Sequence, residues 1–243
     1  MALDFAYTEE ESVRNGVKLM VHAPAGTGKT MLCATLPTPV IFSAESGLLS
    51  LTPKNIARVY GADRDDINYN MLTIKIRNVA DLEDAHQWAT ESHEASEYET
   101  FALDSISEIM EQILTAAKVS NRDGRAAYGD LHEQGIVLVK GFRDIEGKNI
   151  YMSAKQGPFK DEATNITKYG PMMPGSKLGP SIPYLFDEVY ALRLGQDDAG
   201  MYRFLQTQPD LQYEAKCRSG SLELHEEAHL GRLIAKIKQD ENY

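Results

Sequence analysis

A glycine-rich segment that ends in lysine and threonine is the part of this sequence whose residue types suggest chemistry most directly. It comprises Ala23, Pro24, Ala25, Gly26, Thr27, Gly28, Lys29 and Thr30. The spacing fits the pattern G-x-x-x-x-G-K-[ST], with alanine in place of the first glycine. Glycines let successive backbone N–H groups turn toward one anion, the lysine reaches the terminal phosphates, and the threonine hydroxyl is a ligand for Mg²⁺. Residues 23–30 are therefore predicted to bind a nucleoside triphosphate.

Two carboxylates follow apolar strands and supply the rest of the expected chemistry. Asp104 follows the run 100–103, and Glu45 follows the run 40–42. Asp104 is predicted to hold Mg²⁺ together with Thr30, as in other sites that bind nucleoside triphosphates. Glu45 is predicted to orient and polarise the water that attacks the terminal phosphate. Two alternatives stay open: Asp104 as an N-cap for the following helix, and Glu45 as an exposed loop residue.

The surrounding sequence alternates between strand and helix patterns, which predicts an α/β fold. A strand through Val17, Leu19 and Val21 precedes the glycine-rich segment, and a helix is expected over 31–36. Further strands are predicted at 40–42, 71–76, 100–103, 149–154, 186–194, 201–207 and 211–217. Helices are predicted from a cap at Asn78 to 95, and over 106–117, 130–145 and 226–238, with loops at 118–130 and 156–183. This order indicates a mostly parallel central sheet flanked by helices, with antiparallel strands toward the C-terminus.

Composition and charge limit the remaining possibilities. The chain has 243 residues, of which 42% are hydrophobic and 25% charged, so we expect a single domain over 16–243 behind a polar lead-in at 1–15. No apolar run is long enough for a membrane span, and two distant residues, Cys33 and Cys217, offer no disulfide framework. A cytoplasmic location is therefore expected. The net charge of −11 argues against a surface coated by nucleic acid but leaves room for a local basic patch.

Four segments carry a resemblance to a known family: the phosphate loop, "FSAESGL", "FALDSIS" and "YEAKCRSG". They resemble the RecA-type recombinase core, and more closely the phage-encoded RecA-like P-loop ATPases called phage nucleotide-binding proteins, over about residues 16–220. The resemblance implies that the nucleotide is ATP, hydrolysed with Mg²⁺ during phage DNA recombination or repair. It also implies single-stranded DNA, a single-strand-binding or annealing protein and further copies of the chain as partners. RecA's large N-terminal and C-terminal additions have no counterpart here, so filament formation is not implied.

The resemblance also assigns roles to basic residues and to one glutamine. Two predicted loops would face single-stranded DNA, the first through Arg122 and Arg125, the second through Lys160, Lys168 and Lys177. Gln156 would contact the nucleotide and sense its γ-phosphate. Basic fingers that reach the nucleotide of a neighbouring subunit would be Lys216 and Arg218. For all of these cations the alternative interpretation is solvated surface charge.

One motif and two other function classes compete with this interpretation. His225, Glu226, Glu227, Ala228 and His229 match the zinc-binding pattern H-E-x-x-H, although the predicted structure there is an exposed, charged helix start. A small-molecule kinase shares the phosphate loop, but no arginine lies between residues 145 and 190 to form the usual lid. A nucleotide-gated binding module that recruits replication or annealing proteins would bind ATP with little turnover.

Overall fold

The strands that the structure describes form one sheet of ten strands. The computed structural model describes residues 5, 7, 15–45, 47–161, 164–198 and 200–238, so the predicted lead-in at 1–15 lies almost wholly outside the described residues. The sheet order is β10-β8-β7-β1-β5-β4-β2-β3, with β6 paired to β5 and β9 to β7. The strands are β1 (Lys18–Ala23), β2 (Pro39–Ser43), β3 (Leu72–Lys75), β4 (Thr100–Asp104), β5 (Asn149–Lys160), β6 (Thr167–Met172), β7 (Glu188–Asp197), β8 (Gly200–Gln206), β9 (Lys216–Cys217) and β10 (His225–Glu227).

The pairing directions bring the predicted site residues to one edge of the sheet. β1 is parallel to β5 and β7, β4 is parallel to β2 and β5, and β2 is parallel to β3. The register sets Ala23 beside Lys155 and Ser43 beside Asp104, so these four carboxyl ends lie together. The other pairings, made by β6, β8, β9 and β10, are antiparallel. The prediction of a mostly parallel sheet with antiparallel strands toward the C-terminus is confirmed.

Helices cover both faces of the sheet. Successive side chains of a strand point to opposite faces, so both faces carry apolar residues that the helices bury. The helices are α1 (Pro53–Tyr60), α2 (Val79–Glu91), α3 (His93–Ser96), α4 (Ile106–Ser120), α5 (Gly124–Arg143), α6 (Leu178–Ser181) and α7 (Leu230–Lys238). One buried cluster joins alternate strand residues to α2, α4 and α5, through Met20, Phe42, Leu103, Leu82, Ile109 and Phe142. The other joins the intervening strand residues to α7 and the segment after the phosphate loop, through Leu19, Val21, Ile41, Tyr151, Leu32 and Leu233. None of the helices among the described residues is long and apolar enough to cross a membrane.

The loop predicted at 118–130 is wrong, because two helices meet there with only residues 121–123 between them. The glycines at 124 and 129 suggest a break in the helical pattern. In the fold, Asp123 caps α5 by accepting a hydrogen bond from the Arg125 N–H at 2.9 Å, and Ala127 is buried. A side-chain cap and one buried face therefore extend α5 over a segment whose composition resembles a loop.

The loop predicted at 156–183 is also wrong, because most of it is a strand hairpin followed by short helices. β5 continues to Lys160 and β6 returns from Thr167, with Gly157 paired to Gly170. Prolines and glycines in both strands conceal the strand pattern. A Cβ at Gly157 would lie 2.7 Å from the Met172 sulfur, so a side chain at this position would force the Met172 side chain to move.

Smaller differences occur where long-range pairing overrides the local pattern. The predicted helix at 31–36 is a 3₁₀ helix, Thr30–Thr35, and the predicted strand at 211–217 is reduced to β9. The helix from Asn78 to 95 is divided into α2 and α3, and α1 was not predicted. The predicted helix at 226–238 begins only at Leu230, because Glu226 lies in β10 opposite Leu205 of β8.

Candidate functional site

The segment 24–29 turns between β1 and the 3₁₀ helix in the shape that its glycines allow. Gly26 has a φ of 76° and Gly28 a φ of 116°, values that favour glycine because they place the chain in the left-handed region. The Thr27 hydroxyl donates to the Pro24 carbonyl at 3.1 Å, and the Tyr151 hydroxyl donates to the Lys29 carbonyl at 2.9 Å. The buried Tyr151 side chain of β5 thus fixes the end of the loop.

Lys29 is folded over this loop. Its ammonium donates to the carbonyls of Ala23 at 2.9 Å and Pro24 at 3.1 Å. Burial lowers the pKa of Lys29, while the nearby carboxylates of Asp104 and Glu45 act in the opposite direction and favour its charged form. The loop therefore places one cation, balanced by two carboxylates, where a phosphate chain would lie.

Asp104 and Thr30 offer oxygen ligands to a hard cation. Asp104 is 2% exposed, and its two oxygens accept hydrogen bonds from the Thr30 hydroxyl at 2.6 Å and from the Ser153 hydroxyl. Burial raises the pKa of this carboxyl, although both hydroxyl groups favour its charged form. Because Thr30 donates its only hydroxyl proton to Asp104, the lone pairs of its oxygen remain available. This pair of oxygen donors fits Mg²⁺.

The helix cap that could have explained Asp104 is supplied by its neighbour. The Ser105 hydroxyl accepts a hydrogen bond from the Glu108 N–H at 3.4 Å at the start of α4. The same hydroxyl donates to Glu45 Oε1 at 2.6 Å. Ser105 therefore fixes Glu45 beside Asp104, and Oε2 of Glu45 makes no hydrogen bond within the part of the chain that the structure describes. That oxygen is the one available to a water molecule.

Gln156 lies in β5, one residue beyond the partner of Ala23 at the end of β1, and its side chain contacts a buried histidine. Nδ1 of His22 is 3.1 Å from the Gln156 side-chain oxygen, and Nε2 is 2.7 Å from the Glu214 carbonyl oxygen. Burial lowers the pKa of His22 to about 4, so the ring is neutral at pH 7 and donates to one oxygen at a time. The shorter contact indicates that Glu214 is the usual acceptor.

His22 is expected to make stability depend on pH in a defined window. Its folded pKa of about 4 lies below the ordinary 6.5, so the unfolded chain binds more protons and stability falls as the pH falls from about 6.5 toward about 4. Between pH 7 and pH 5 the wild type should lose about 2 kcal/mol of unfolding free energy more than His22→Gln. Urea unfolding of both proteins at both pH values measures this, and equal losses would contradict it.

The structure brings together only some of the basic residues predicted to face DNA. Arg125 and Lys177 line one cavity of about 580 Å³ between the start of α5 and residues 174–178, together with Tyr128 and His132. Arg122 and Lys160 are exposed. In contrast, Lys168 is paired with Asp161 at 2.7 Å. The two predicted segments therefore meet at Arg125 and Lys177.

Lys216 and Arg218 lie at the opposite edge of the sheet from the phosphate loop. Cys217 pairs with Glu188, and Glu188 lies beside Leu19 near the start of β1, whereas the loop follows the end of that strand. The Lys216 ammonium donates to the carbonyls of residues 183 and 186, and Arg218 pairs with Asp187 at 2.7 Å. Neither cation reaches the phosphate loop of its own chain.

The two histidines of the zinc-like pattern do not share a helix. His225 lies in β10 with its ring centroid 4.7 Å from that of Phe204. His229 is 1% exposed, precedes α7 and lies 3.2 Å from Asp66. Among the described residues no three His, Cys, Asp or Glu side chains form a group that could hold a metal ion. The predicted exposed helix start is therefore wrong, and the zinc interpretation has no geometric support.

Sequence reasoning missed Arg203, which contacts the phosphate loop from β8. Its Nε donates to the Thr27 carbonyl at 2.6 Å. An arginine within a strand of mostly apolar residues was the only local signal, and that signal does not identify a contact 176 positions away. Tyr151 and Ser153 of β5 were missed for the same reason.

Comparison with known proteins gives a family match and likenesses to solved structures. A family model described as "AAA domain" matches residues 15–219, which include the phosphate loop, Glu45 and Asp104. Among solved structures, the KaiC-like protein PH0186 from the hyperthermophilic archaeon Pyrococcus horikoshii is 11% identical, over 86% of this chain and 88% of that chain, with a TM-score of 0.41. No curated protein matches the chain.

Proposed function

We propose that this chain, which belongs to the AAA domain family, is a Mg²⁺-dependent ATPase that acts on single-stranded DNA in recombination or repair. The observation that supports hydrolysis best is the arrangement at the sheet edge. Thr30 donates to Asp104, while Ser105, the next residue along the chain, holds Glu45. A phosphate loop alone would suit any protein that binds nucleotides. A second, oriented carboxylate beside it is what hydrolysis requires.

The residues have separate tasks in the proposed reaction. The N–H groups of residues 26–30 and the Lys29 ammonium bind the phosphate oxygens. Thr30 and Asp104 would hold Mg²⁺, and the ion would neutralise charge on the phosphates. Glu45 orients a water molecule and accepts its proton as the water oxygen bonds to the γ-phosphorus. The bond from that phosphorus to the bridging oxygen breaks, giving ADP and inorganic phosphate.

The proposed contact with DNA rests on the cavity shared by Arg125 and Lys177. Proteins that bind single strands without sequence preference combine cations for the backbone with aromatic rings on which bases stack. Here Tyr128 and His132 line the same cavity, and the Lys118 ammonium lies 5.7 Å from the centroid of the Tyr128 ring. Because the whole chain has a net charge of −11, binding of a polyanion needs a local group of cations such as this one.

Replacing Arg125 and Lys177 together by alanine is expected to weaken binding of a single-stranded oligonucleotide. The plot of log affinity against log salt should become less steep by about 1.4, because each lost phosphate contact on a single strand accounts for about 0.7 of the negative slope. Fluorescence anisotropy at several salt concentrations measures both quantities. Lys168→Ala is the matched control, because Asp161 already neutralises that ammonium. An unchanged slope in the double variant would exclude this cavity as the DNA site.

Assembly with further copies is also part of the proposal. Since neither Lys216 nor Arg218 reaches the phosphate loop of its own chain, either could act only on a neighbouring subunit. Arg218 suits this role better, because its side chain is 60% exposed whereas Lys216 is committed to carbonyls of its own chain. A cation supplied by a neighbour makes hydrolysis depend on assembly. If the rate of ATP hydrolysis per subunit stayed constant over a wide range of protein concentration, the proposed dependence on assembly would be wrong.

A further inference from the structure

The hairpin of β7 and β8 contacts the phosphate loop through a residue that the proposed mechanism does not use. Arg203 of β8 donates from Nε to the Thr27 carbonyl at 2.6 Å. A Cβ built on Gly28 would lie only 2.9 Å from the same nitrogen. The arginine therefore rests directly against the loop, and the absence of a side chain at residue 28 makes room for it.

The guanidinium group is fixed at one end and open at the other. Its Nε bond uses one of five N–H donors, and the two terminal nitrogens make no hydrogen bond or ion pair with the residues that the structure describes. The hydrogen bond from a strand residue to a backbone carbonyl also restrains the side chain. A planar cation held in this way loses little conformational freedom when a ligand contacts its open face.

Apolar side chains flank Arg203 on the same face of the hairpin. Leu194 lies directly opposite Arg203 in the strand register, and Met201 is two positions along β8, with exposures of 53% and 64%. Further along that face, Leu205 is fully buried in one cluster with Leu32, which follows the phosphate loop. Leu194, Met201 and Leu205 therefore lie on the side of the sheet where the segment after the phosphate loop packs.

The position of the hydrolytic residues fixes the direction in which a nucleotide must extend. β1 has β5 on one side and β7 on the other. Asp104 is the last residue of β4, and Glu45 follows β2. Both strands lie beyond β5, so the γ-phosphate belongs on that side. The α-phosphate and the nucleoside must then extend toward the other side, where β7 and β8 carry Arg203.

We propose that Arg203, Leu194 and Met201 form the surface that holds the base of the bound nucleotide, with the guanidinium plane stacked on the aromatic ring. Arginine stacks well on aromatic faces, and polarisable or apolar side chains complete such a contact. Stacking uses no donor or acceptor pattern of the base, which agrees with the lack of a base-reading motif in the sequence. The inference rests on the proposed function, since it concerns the same nucleotide.

The test compares a ligand that has a base with one that lacks it. Calorimetry would give the dissociation constants of ATP and of inorganic tripolyphosphate, both with Mg²⁺, for the wild type, Arg203→Ala and Leu194→Ser. In Arg203→Ala the ATP affinity should fall roughly tenfold, with a smaller loss in Leu194→Ser, while tripolyphosphate affinity should change less than about twofold in both. Arg77→Ala, an arginine that is 76% exposed and paired with Asp81, serves as the control for the loss of one surface charge.

Each other result counts against the inference in a distinct way. Equal weakening of both ligands by Arg203→Ala would mean that this side chain only supports the loop, and the base surface would be excluded. Unchanged binding of ATP in both variants would exclude it as well. If the wild type bound neither ligand, the proposed nucleotide site itself would be wrong. If the wild type binds both ligands, that site stands, and the variants then test the base contact alone.

Discussion

Glu45→Gln is expected to lower the rate of ATP hydrolysis by roughly 10²- to 10³-fold while the affinity for ATP stays within about twofold. Glutamine retains the size and the oxygen that accepts the Ser105 hydrogen bond of 2.6 Å, so the local structure should persist. It cannot accept a proton from water. Steady-state phosphate release and equilibrium ATP binding, measured on the same preparation, separate the two effects.

The matched control for Glu45→Gln is a second carboxylate close to the site. Glu108 lies on α4 and is paired with Lys155 at 2.9 Å, so Glu108→Gln removes a nearby negative charge of similar exposure without removing the proposed base. It should change the hydrolysis rate by no more than a few-fold. If Glu45→Gln hydrolysed ATP as fast as this control, the assignment of Glu45 as the base would be wrong.

Lys29→Ala is expected to weaken ATP binding by roughly 100-fold and to abolish hydrolysis with it. The ammonium is the one cation that the loop itself carries, and each charge-assisted hydrogen bond it makes to phosphate contributes about 1.5–3 kcal/mol. The variant also removes the hydrogen bonds from Lys29 to the carbonyls of Ala23 and Pro24. Circular dichroism and thermal unfolding without nucleotide would therefore be recorded beside the ATP titration, to show that the fold is retained.

Lys54→Ala controls for the loss of a lysine on the surface, since Lys54 is exposed on α1. It should bind and hydrolyse ATP like the wild type. Retention of ATP binding by Lys29→Ala at the level of this control would show that the phosphates lie elsewhere.

The parts of the fold and site that the sequence predicted are those set by local pattern. The glycines at 26 and 28 require a loop, and the apolar runs before Glu45 and Asp104 place both carboxylates at strand ends. Parallel pairing then brings these ends together, because all carboxyl ends of a parallel sheet share one edge. The roles of the carboxylates stay predictions, although the geometry agrees with them.

What the sequence could not predict depends on contacts between distant residues. The hydroxyl groups of Thr30 and Ser153 donate to both oxygens of the Asp104 carboxylate. Ser105, and not Asp104, therefore caps α4. The hairpin of β5 and β6 forms although its glycines and prolines suggest a loop, because every residue of β6 pairs with a residue of the segment 155–160 of β5. Arg203 contacts the loop only because β8 is laid beside β7. None of these pairings leaves a trace in local periodicity.

The measurement that tests the account most directly is the rate of ATP hydrolysis by the purified protein with Mg²⁺, with and without single-stranded DNA. If the proposed function is right, turnover requires Mg²⁺ and rises when DNA is added. Turnover indifferent to DNA would remove the role proposed for the cavity at Arg125 and Lys177. ATP binding without any Mg²⁺-dependent turnover, with or without DNA, would contradict the central claim and leave a nucleotide-gated binding protein as the better description.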